Sequence, residues 1–344
     1  MGRPTIAHLA KAANVSVSTI DRVMNGRDPV RPETAEQVLL AAERIGFRGI
    51  TAIRRRLESN RPVRKFGFLL KQSHRKLYQM WAETLAKAVE EFPHAHGRSL
   101  IRFSDELEPE KVAETLFSLS REVDAIALIA SDHPKVNHAV DQVVADGVPV
   151  FTMIADLSAP GRTGYVGNDN FKKGRTAAWF VANTSRTAGK VAVFVGSHRY
   201  LCQDLCEMGF RSYLREQGLE FQMMETMLTH EEPKNAYDLI QQLLTTTPDL
   251  VGLYVAGGGI TGVMRALRES DTPAVKKLIV VGHELTNDTR TGLADGVVKA
   301  ILSHPARVLT DTLVNAMAEA VNVGPSSTVA QHILPFEIYT AENI

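Results

Sequence analysis

The sequence predicts a small all-α helix-turn-helix headpiece followed by a two-lobed α/β domain with parallel sheets. Three observations lead to this fold class. Short amphipathic helices occupy the first 49 residues, the remainder alternates between apolar strands and helices, and the two parts carry opposite net charge. A chain of 344 residues also exceeds one ordinary domain and suits a small module joined to a large one.

Two short helices are predicted within residues 5–25. Thr5 is a candidate N-cap for the first, because its hydroxyl can accept a backbone N–H left free at the helix start. The segment 14–16 breaks that helix, and Ser16 can cap the second. Two such helices joined by a turn of three or four residues form the shape that lays its second helix in the DNA major groove. A small helical bundle of unrelated use is the alternative.

A third helix is predicted over residues 31–45, with Pro32 in its first turn, where a missing N–H costs nothing. Gly46 ends this helix. The basic stretch 51–58 and the linker-like stretch 59–63 follow.

The segment 5–58 resembles the headpiece and hinge of the lactose-repressor (LacI/GalR) family of bacterial transcription regulators. The matching stretches are residues 6–10 (IAHLA), 15–19 (VSVST), 22–25 (RVMN) and 30–34 (VRPET), with Leu57 in the hinge. The resemblance implies operator double-stranded DNA as a partner. It also implies three parts: a DNA-binding headpiece over 1–49, a hinge helix and linker over 50–64, and an effector-binding and dimerisation domain over 65–344.

The resemblance also implies which side chains read the operator. Val17, Ser18 and Arg22 are expected at base edges, where Arg22 can bond guanine bidentately and Val17 can touch a thymine methyl. A phosphate contact is the alternative for Arg22. The expected phosphate-binding residues, which fix register without reading sequence, are Thr5, Ser16, Thr19 and Asn25.

The hinge of the family folds to a helix on DNA, and a leucine from each of two copies wedges between base pairs at the operator centre. Leu57 is the matching wedge, and such wedging kinks the duplex. Arg54, Arg55 and Arg56 precede it. Arginine stands where the family commonly has a small residue, which strengthens the expected DNA electrostatics but puts close approach of the two hinge helices in doubt. A solvated charged linker is the alternative.

The zero net charge of the whole chain hides an asymmetry. Residues 1–65 hold 13 Lys or Arg and 6 Asp or Glu, a balance of +7, and the remainder is therefore at −7. A basic headpiece on an acidic body fits a nucleic-acid reader attached to an unrelated module. No export signal and no membrane-length apolar run is evident, and Cys202 and Cys206 are the only cysteines. We therefore expect a cytoplasmic protein with no membrane partner.

The large domain is predicted from its strand–helix alternation, which indicates parallel sheets covered on both faces. The first series has strands at 65–70, 99–103, 125–129 and 148–152, and helices at 77–92, 108–120 and 133–146. The second begins near Val166, with helices at 170–182, 202–217, 233–246 and 260–269, and strands at 190–195, 221–225, 252–256, 278–282 and 297–302. A helix at 304–321 and a strand near 332–338 return to the lobes. This organisation is similar to the periplasmic-binding-protein type 1 fold of the family's regulatory domain, in its ribose-type branch.

Ligands of α/β sheets lie beyond the carboxyl ends of the strands. The residues that follow strands are therefore the candidate effector-binding residues: Gln72, His74, Arg75, Tyr78, Asp156, His198, Arg199, Gly258 and Glu284. Glu284 stands where the ribose-type branch usually has an aspartate that accepts sugar hydroxyls. Carboxylates and arginines near an aromatic face suit a sugar. The four basic groups among these residues favour a sugar acid or sugar phosphate as the alternative.

These features lead to a hypothesis of function: a sugar-responsive repressor that binds a pseudo-palindromic operator as a homodimer and releases it on effector binding. A solute-binding protein without a DNA role and a regulator that needs a co-repressor are the alternatives. We expect no enzyme activity and no cofactor, because no catalytic constellation has supporting context. We expect no metal site either, because His198, Cys202 and Cys206 lack a fourth ligand.

Overall fold

The computed structural model describes residues 3–25, 30–59, 61–106, 108–217, 220–324 and 328–344. The chain divides into two compact units. The first consists of residues 1–63 with the short segment 93–96, and the second contains the rest of the chain.

The first unit is helical. Its elements are α1 (Ile6–Ala12), α2 (Val17–Asn25), α3 (Pro32–Arg44) and α4 (Ile50–Ser59). One apolar core joins them, with Leu9, Ile20, Val38 and Ile53 completely buried. The predicted helix–turn–helix is confirmed in α1 and α2. The basic stretch that follows the third helix is also helical, and Ile53 anchors it to the same core.

The second unit has two lobes, each built on one sheet. The elements of the first lobe are β1 (Val63–Lys71), α5 (Lys76–Glu90), β2 (His96–Ser104), α6 (Pro109–Ser120), β3 (Ala125–Leu128), α7 (Pro134–Ala145), β4 (Val150–Met153), β5 (Gly164–Asn168), α13 (Ala306–Val323) and β12 (Ala330–Leu334). The strand order in its sheet is β12-β5-β4-β3-β1-β2. Neighbours from β1 to β12 on this path are parallel.

The elements of the second lobe are α8 (Asn170–Thr184), β6 (Lys190–Val195), α9 (Leu201–Glu216), β7 (Gln222–Met223), β8 (Met227–Leu228), α10 (Pro233–Thr246), β9 (Leu250–Val255), α11 (Ile260–Glu269), a 3-10 helix (Pro273–Lys277), β10 (Ile279–His283), α12 (Asn287–Ala294), β11 (Ala300–Ser303) and β13 (Glu337–Tyr339). The strand order is β13-β11-β10-β9-β6-β7, with β8 also paired to β6. The predicted parallel sheets are confirmed, and β13 is antiparallel to β11 at one edge.

The central strands are buried along their whole length, as strands covered by helices on both faces must be. Every residue of β3, β4 and β9 is buried. Separate apolar clusters lie on the two faces of the second sheet. Helices α8 and α9 pack so closely that a Cβ on Gly174 would stand 1.8 Å from the carbonyl oxygen of Cys206. Glycine is therefore required at that helix crossing.

The chain passes between the lobes three times. It leaves the first lobe after β5, returns after β11, and crosses again between β12 and β13. The three crossings lie between the two sheets, as hinge strands do in proteins whose lobes close on a ligand. Among the helices of the described residues, none has the length and apolar character needed to cross a membrane.

Candidate functional site

Helix α2 begins at a polar turn built by Ser16. The Ser16 hydroxyl accepts the backbone N–H of Thr19 at 3.1 Å and lies 2.8 Å from the hydroxyl oxygens of both Ser18 and Thr19. Thr5 caps α1 in the same way by accepting the N–H of His8. The predicted caps are therefore present, and they hold the first turn of each helix.

One face of α2 is buried and the other is exposed. Ile20 and Val23 lie in the core of the headpiece, whereas Val17, Ser18 and Arg22 are exposed. Val17 has 53% of its surface exposed, although it is apolar. An exposed apolar side chain beside a serine and an arginine is the combination that reads base edges in a major groove. Asn25 also lies on the exposed part of α2, and its amide donates to the Asp21 carboxylate.

Helix α4 carries the basic residues predicted for the hinge. Arg54 and Arg55 are exposed, and the Arg54 guanidinium lies 2.6 Å from the Glu43 carboxylate. Leu57 is half-buried and packs against the apolar core of the headpiece. The amphipathic helix α4 therefore has its apolar side on the headpiece core and Arg54 and Arg55 towards solvent, whereas Arg56 is half-buried.

A cavity of about 520 Å³ lies between the two lobes. Loops after β1, β8, β9, β10 and β11 contribute to its wall. Of the effector-binding residues predicted from sequence, five line it: His74, Arg75, Tyr78, Gly258 and Glu284. Its volume is within the range of small-molecule sites, about 300–1,000 Å³.

The other four predicted residues are engaged elsewhere, among the residues that the structure describes. The Asp156 carboxylate accepts two hydrogen bonds from Arg162 at 2.8 Å inside the first lobe. Arg199 joins the lobes outside the cavity, where its carbonyl accepts the N–H of Asp132 at 2.7 Å. His198 is exposed, and its Nδ1 lies 3.1 Å from the Asp204 carboxylate. The Gln72 side-chain amide donates to the Glu232 carboxylate at 3.4 Å.

Lys71 and Glu231 form a buried ion pair across the cavity. Their side chains are 4% and 6% exposed, and Nζ of Lys71 lies 3.5 Å from Oε2 of Glu231. The ammonium also lies 3.9 Å from the ring centroid of Tyr200. Burial alone would lower the pKa of Lys71, but Tyr78 and Glu231 outweigh that effect and raise it, so the lysine is charged. Neither residue was predicted from the sequence, although the lysine at the end of the apolar run of β1 was an available signal.

Hydrogen bonds hold the Glu231 carboxylate in place. Its Oε1 accepts the Gln203 amide at 2.7 Å and the Gly258 N–H at 3.3 Å. Burial raises the pKa of Glu231, but Lys71 and these donors lower it by more, and the net shift is downward. The pair is therefore ionised on both sides.

A second polar cluster lies on the wall formed by β10 and β11. Oε1 of Glu284 is 2.6 Å from Nδ1 of His304 and 3.8 Å from Nζ of Lys173. Burial opposes the charge of Glu284, yet His304 and Lys173 bring its pKa down to about 2. Burial lowers the pKa of His304, which keeps the imidazole neutral. Nε2 of His304 is buried and has no hydrogen-bond partner within the described chain.

One group of potential metal ligands occurs in the described residues: His198, Asp204 and Glu207, whose ligand atoms lie within 4.8 Å of one another. Glu207 already binds Arg211 at 2.7 Å, and His198 and Asp204 are exposed. The guanidinium competes for the carboxylate, so these residues do not form a convincing metal site.

Two family models match the chain. One, described as a periplasmic binding protein domain, covers residues 66–325, and the other, described as bacterial regulatory proteins of the lacI family, covers residues 5–49.

Curated relatives match this chain over most of their length. The chain is 23% identical over 292 residues to catabolite control protein A of Staphylococcus epidermidis, with 83% of each chain covered. It is 23% identical over 283 residues to the HTH-type transcriptional repressor PurR of Haemophilus influenzae (81% of each chain), and 26% identical over 299 residues to the HTH-type transcriptional regulator CelR of Thermobifida fusca (82% of each).

Solved structures match the two-lobed domain. A solute-binding protein from Burkholderia graminis in complex with D-arabinose has a TM-score of 0.74 at 18% identity, over 81% of this chain and 96% of that one. A periplasmic solute-binding protein from Actinobacillus succinogenes with bound D-allose has a TM-score of 0.72 at 16% identity, over 81% and 98%. These likenesses concern the fold.

A helix-turn-helix headpiece joined to a two-lobed binding domain defines a ligand-responsive DNA-binding transcription regulator, a class distinct from enzymes. The chain belongs to the periplasmic binding protein domain family over residues 66–325, and its residues 5–49 match the lacI family of bacterial regulatory proteins.

Proposed function

We propose that this regulator is a repressor that releases its operator when a small molecule occupies the cavity between the lobes. The cavity itself carries the proposal, because it lies at the carboxyl ends of strands from both sheets and presents buried, charged and unpaired polar groups. A ligand held by both lobes stabilises the closed arrangement over an open one. Sugars are the ligand class, in keeping with the relatives whose structures contain D-arabinose and D-allose.

The proposed mode of DNA binding follows the arrangement of the lacI family. Residues 1–49 are the headpiece, 50–64 the hinge, and 65–344 the effector and dimerisation domain. Two headpieces of a homodimer bind the half-sites of a pseudo-palindromic operator. Val17, Ser18 and Arg22 contact bases, and phosphates are bound by Thr5, Ser16, Thr19 and Asn25. The protein acts in the cytoplasm, where its DNA is.

In this proposal the hinge transmits the signal. The two α4 helices pair over the operator centre, insert Leu57 into the minor groove and place Arg54 and Arg55 near the DNA backbone. Ligand-driven closure of the lobes shifts the protomers and weakens that pairing. This mechanism requires the ligand to prefer the low-affinity state, because a ligand with equal affinity for both states shifts nothing.

Selection of operator DNA from a randomised duplex pool tests the proposal. We expect a palindrome to be enriched by the full-length protein and to be released when one sugar of a panel is added. Enrichment only in the presence of a compound would establish a co-repressor mechanism instead. Failure to enrich any sequence under all conditions would contradict the operator-binding role.

A further inference from the structure

The four Lys and Arg side chains of the cavity wall each pair with a carboxylate in the described structure. Lys71 pairs with Glu231 and Lys173 with Glu284 in the interior. At the rim the pairs are Arg75–Glu232 and Lys76–Asp288, each at 3.4 Å. Three of these pairs join the first lobe to the second. The wall therefore carries charge of both signs in equal number.

We propose that the cavity selects an electrically neutral polyhydroxylated ligand and that the Lys71–Glu231 pair enforces this by rejecting anions. The inference rests on the proposed function, since it concerns the ligand of that same cavity. It decides between the two ligand types that the sequence leaves open, a neutral sugar and a sugar acid or phosphate.

The Lys71–Glu231 pair leaves no cation available to an anionic ligand in the interior. The ammonium has the Glu231 carboxylate on one side and the face of Tyr200 on another. An anionic ligand that paired with Lys71 would leave the buried Glu231 carboxylate without its counter-charge, which is strongly unfavourable. Glu231 cannot turn away easily, because Gln203 and the Gly258 N–H also hold it.

The opposite wall offers hydrogen-bond acceptors. A carboxylate only accepts, so the hydrogen shared by Glu284 and His304 sits on Nδ1 of the imidazole. Burial lowers the pKa of His304, so the imidazole is neutral and its Nε2 carries a lone pair, which has no donor among the described residues. In the proposed complex a ligand hydroxyl supplies that donor. A carboxylate or phosphate oxygen would instead meet a lone pair and the anionic Glu284.

Three of the four basic residues that favoured a sugar acid in the sequence lie outside the interior of the cavity. His198 and Arg199 do not belong to the cavity wall within the described residues. Arg75 pairs with Glu232 through one terminal nitrogen at 3.4 Å, while its Nε is a buried donor without a hydrogen-bond partner in the described chain. His74 is exposed at the rim. The interior that would surround a charged group is occupied by compensated ion pairs.

Calorimetric titration of the full-length protein with matched compounds tests the inference. The series are D-glucose with D-glucuronate (charged at C6) and D-glucosamine (charged at C2), and D-galactose with D-galacturonate, so that the pyranose ring is kept and one substituent changes in each comparison. We expect the neutral member to bind at least about tenfold more tightly than its acid. Tighter binding of an acid or of the amino sugar would overturn the inference.

Two variants test the residues themselves. Glu231→Gln leaves Lys71 without a counter-charge, and we expect the Kd ratio between acid and neutral sugar to move at least about tenfold towards the acid. Lys71→Met leaves Glu231 as the excess charge and should move the ratio towards D-glucosamine. An unchanged ratio in either variant that retains a cooperative thermal transition would overturn the role of the pair. Lys111→Gln is the matched control, because it removes one charge from the exposed pair with Glu114.

Operator binding, measured separately, distinguishes the two proposals. A sugar acid that binds and releases DNA would leave the proposed function standing and refute the charge selection. Binding of no compound from any class by a protein that still binds its operator would refute the effector role of the cavity, and the inference with it.

Discussion

The buried Glu231 carboxylate and its partner Gln203 require space that three glycines provide. A Cβ on Gly196 would lie 1.8 Å from Oε1, and one on Gly258 would lie 2.6 Å from Oε2. Gly257 leaves similar room for Gln203, the amide partner of Glu231. At the scale of single residues, the placement of Glu231 and Gln203 in the cavity therefore depends on neighbouring glycines, which have no side chain to occupy that space.

The burial of His283 leads us to expect a lower free energy of unfolding in mild acid. Burial lowers its pKa well below 6.5, and its Nε2 lies within hydrogen-bond distance of the Tyr254 hydroxyl oxygen, at 2.7 Å. Below pH 6.5 the His283 imidazole therefore binds a proton in the unfolded chain, whereas in the folded chain it stays neutral. The stability contributed by neutral His283 is present above pH 6.5 and is lost as pH falls, with a slope of at most about 1.4 kcal/mol per pH unit.

Urea unfolding at pH 7.5 and pH 5.5 measures this effect. We expect His283→Gln to reduce the difference between the two midpoints of the effector-domain transition, because the amide does not titrate. His138→Gln removes an exposed histidine of α7 and should leave the difference as it is in the parent protein. Equal behaviour of both variants would show that His283 does not carry the pH dependence.

Arg22 predicts a localised change in DNA sequence preference. Its side chain is on the exposed face of α2, and in the proposed operator complex Arg22→Ala removes a bidentate contact to one base. We expect a loss of about 1–3 kcal/mol confined to one position of each half-site. Operator selection with the variant measures the profile. A uniform loss of affinity with an unchanged profile would assign Arg22 to a phosphate.

At the scale of elements, Leu57 of helix α4 has one environment in this structure and another in the proposed operator complex. The side chain packs against the headpiece core in this structure, whereas the proposed operator complex places it between base pairs. We expect Leu57→Ala to weaken specific operator binding far more than binding to random duplex, because only the specific complex is kinked at its centre. Filter binding or fluorescence anisotropy on both duplexes measures the two losses.

Lost packing could lower operator binding without any wedge, and a matched variant separates these causes. Leu39→Ala removes a leucine that packs against the same core from α3. We expect it to reduce headpiece stability while it changes specific and non-specific binding by equal factors. The same selectivity loss in both variants would refute the wedge role of Leu57.

The element pattern was predictable where apolar periodicity was continuous. The prediction that a second series begins near Val166 was wrong, because β5 pairs with β4 in the first sheet and the chain crosses only afterwards. The single strand expected near 332–338 is two strands, because Pro335 interrupts β12 and β13 and the two join different sheets. Helix α12 was missed: it has eight residues, few of them apolar, and begins at a local capping box on Thr286.

At the scale of the whole molecule, the cavity was only partly predictable. The strand-end rule selected Arg75, Tyr78 and Glu284 because it depends on fold alone. It could not select Lys71 and Glu231, which lie 160 residues apart and pair only after two separate sheets face each other. The same rule included Arg199, whose loop follows the right strand but turns to Asp132 in the other lobe.

The charge asymmetry of the whole chain predicts how DNA binding responds to salt. In the proposed complex the balance of +7 in residues 1–65 attracts phosphates, whereas the remainder, at −7, makes no contact with DNA. The slope of log K against log salt concentration is negative, and each neutralised phosphate adds about 0.9 to its magnitude. We expect Arg55→Gln, on the exposed face of α4, to reduce the magnitude of that slope on a random duplex by about 1. Arg121→Gln removes an equal charge from the body and should leave the slope unchanged. Equal reductions in both variants would mean that DNA responds to net charge and not to a localised basic headpiece, which would contradict the proposed division of the chain.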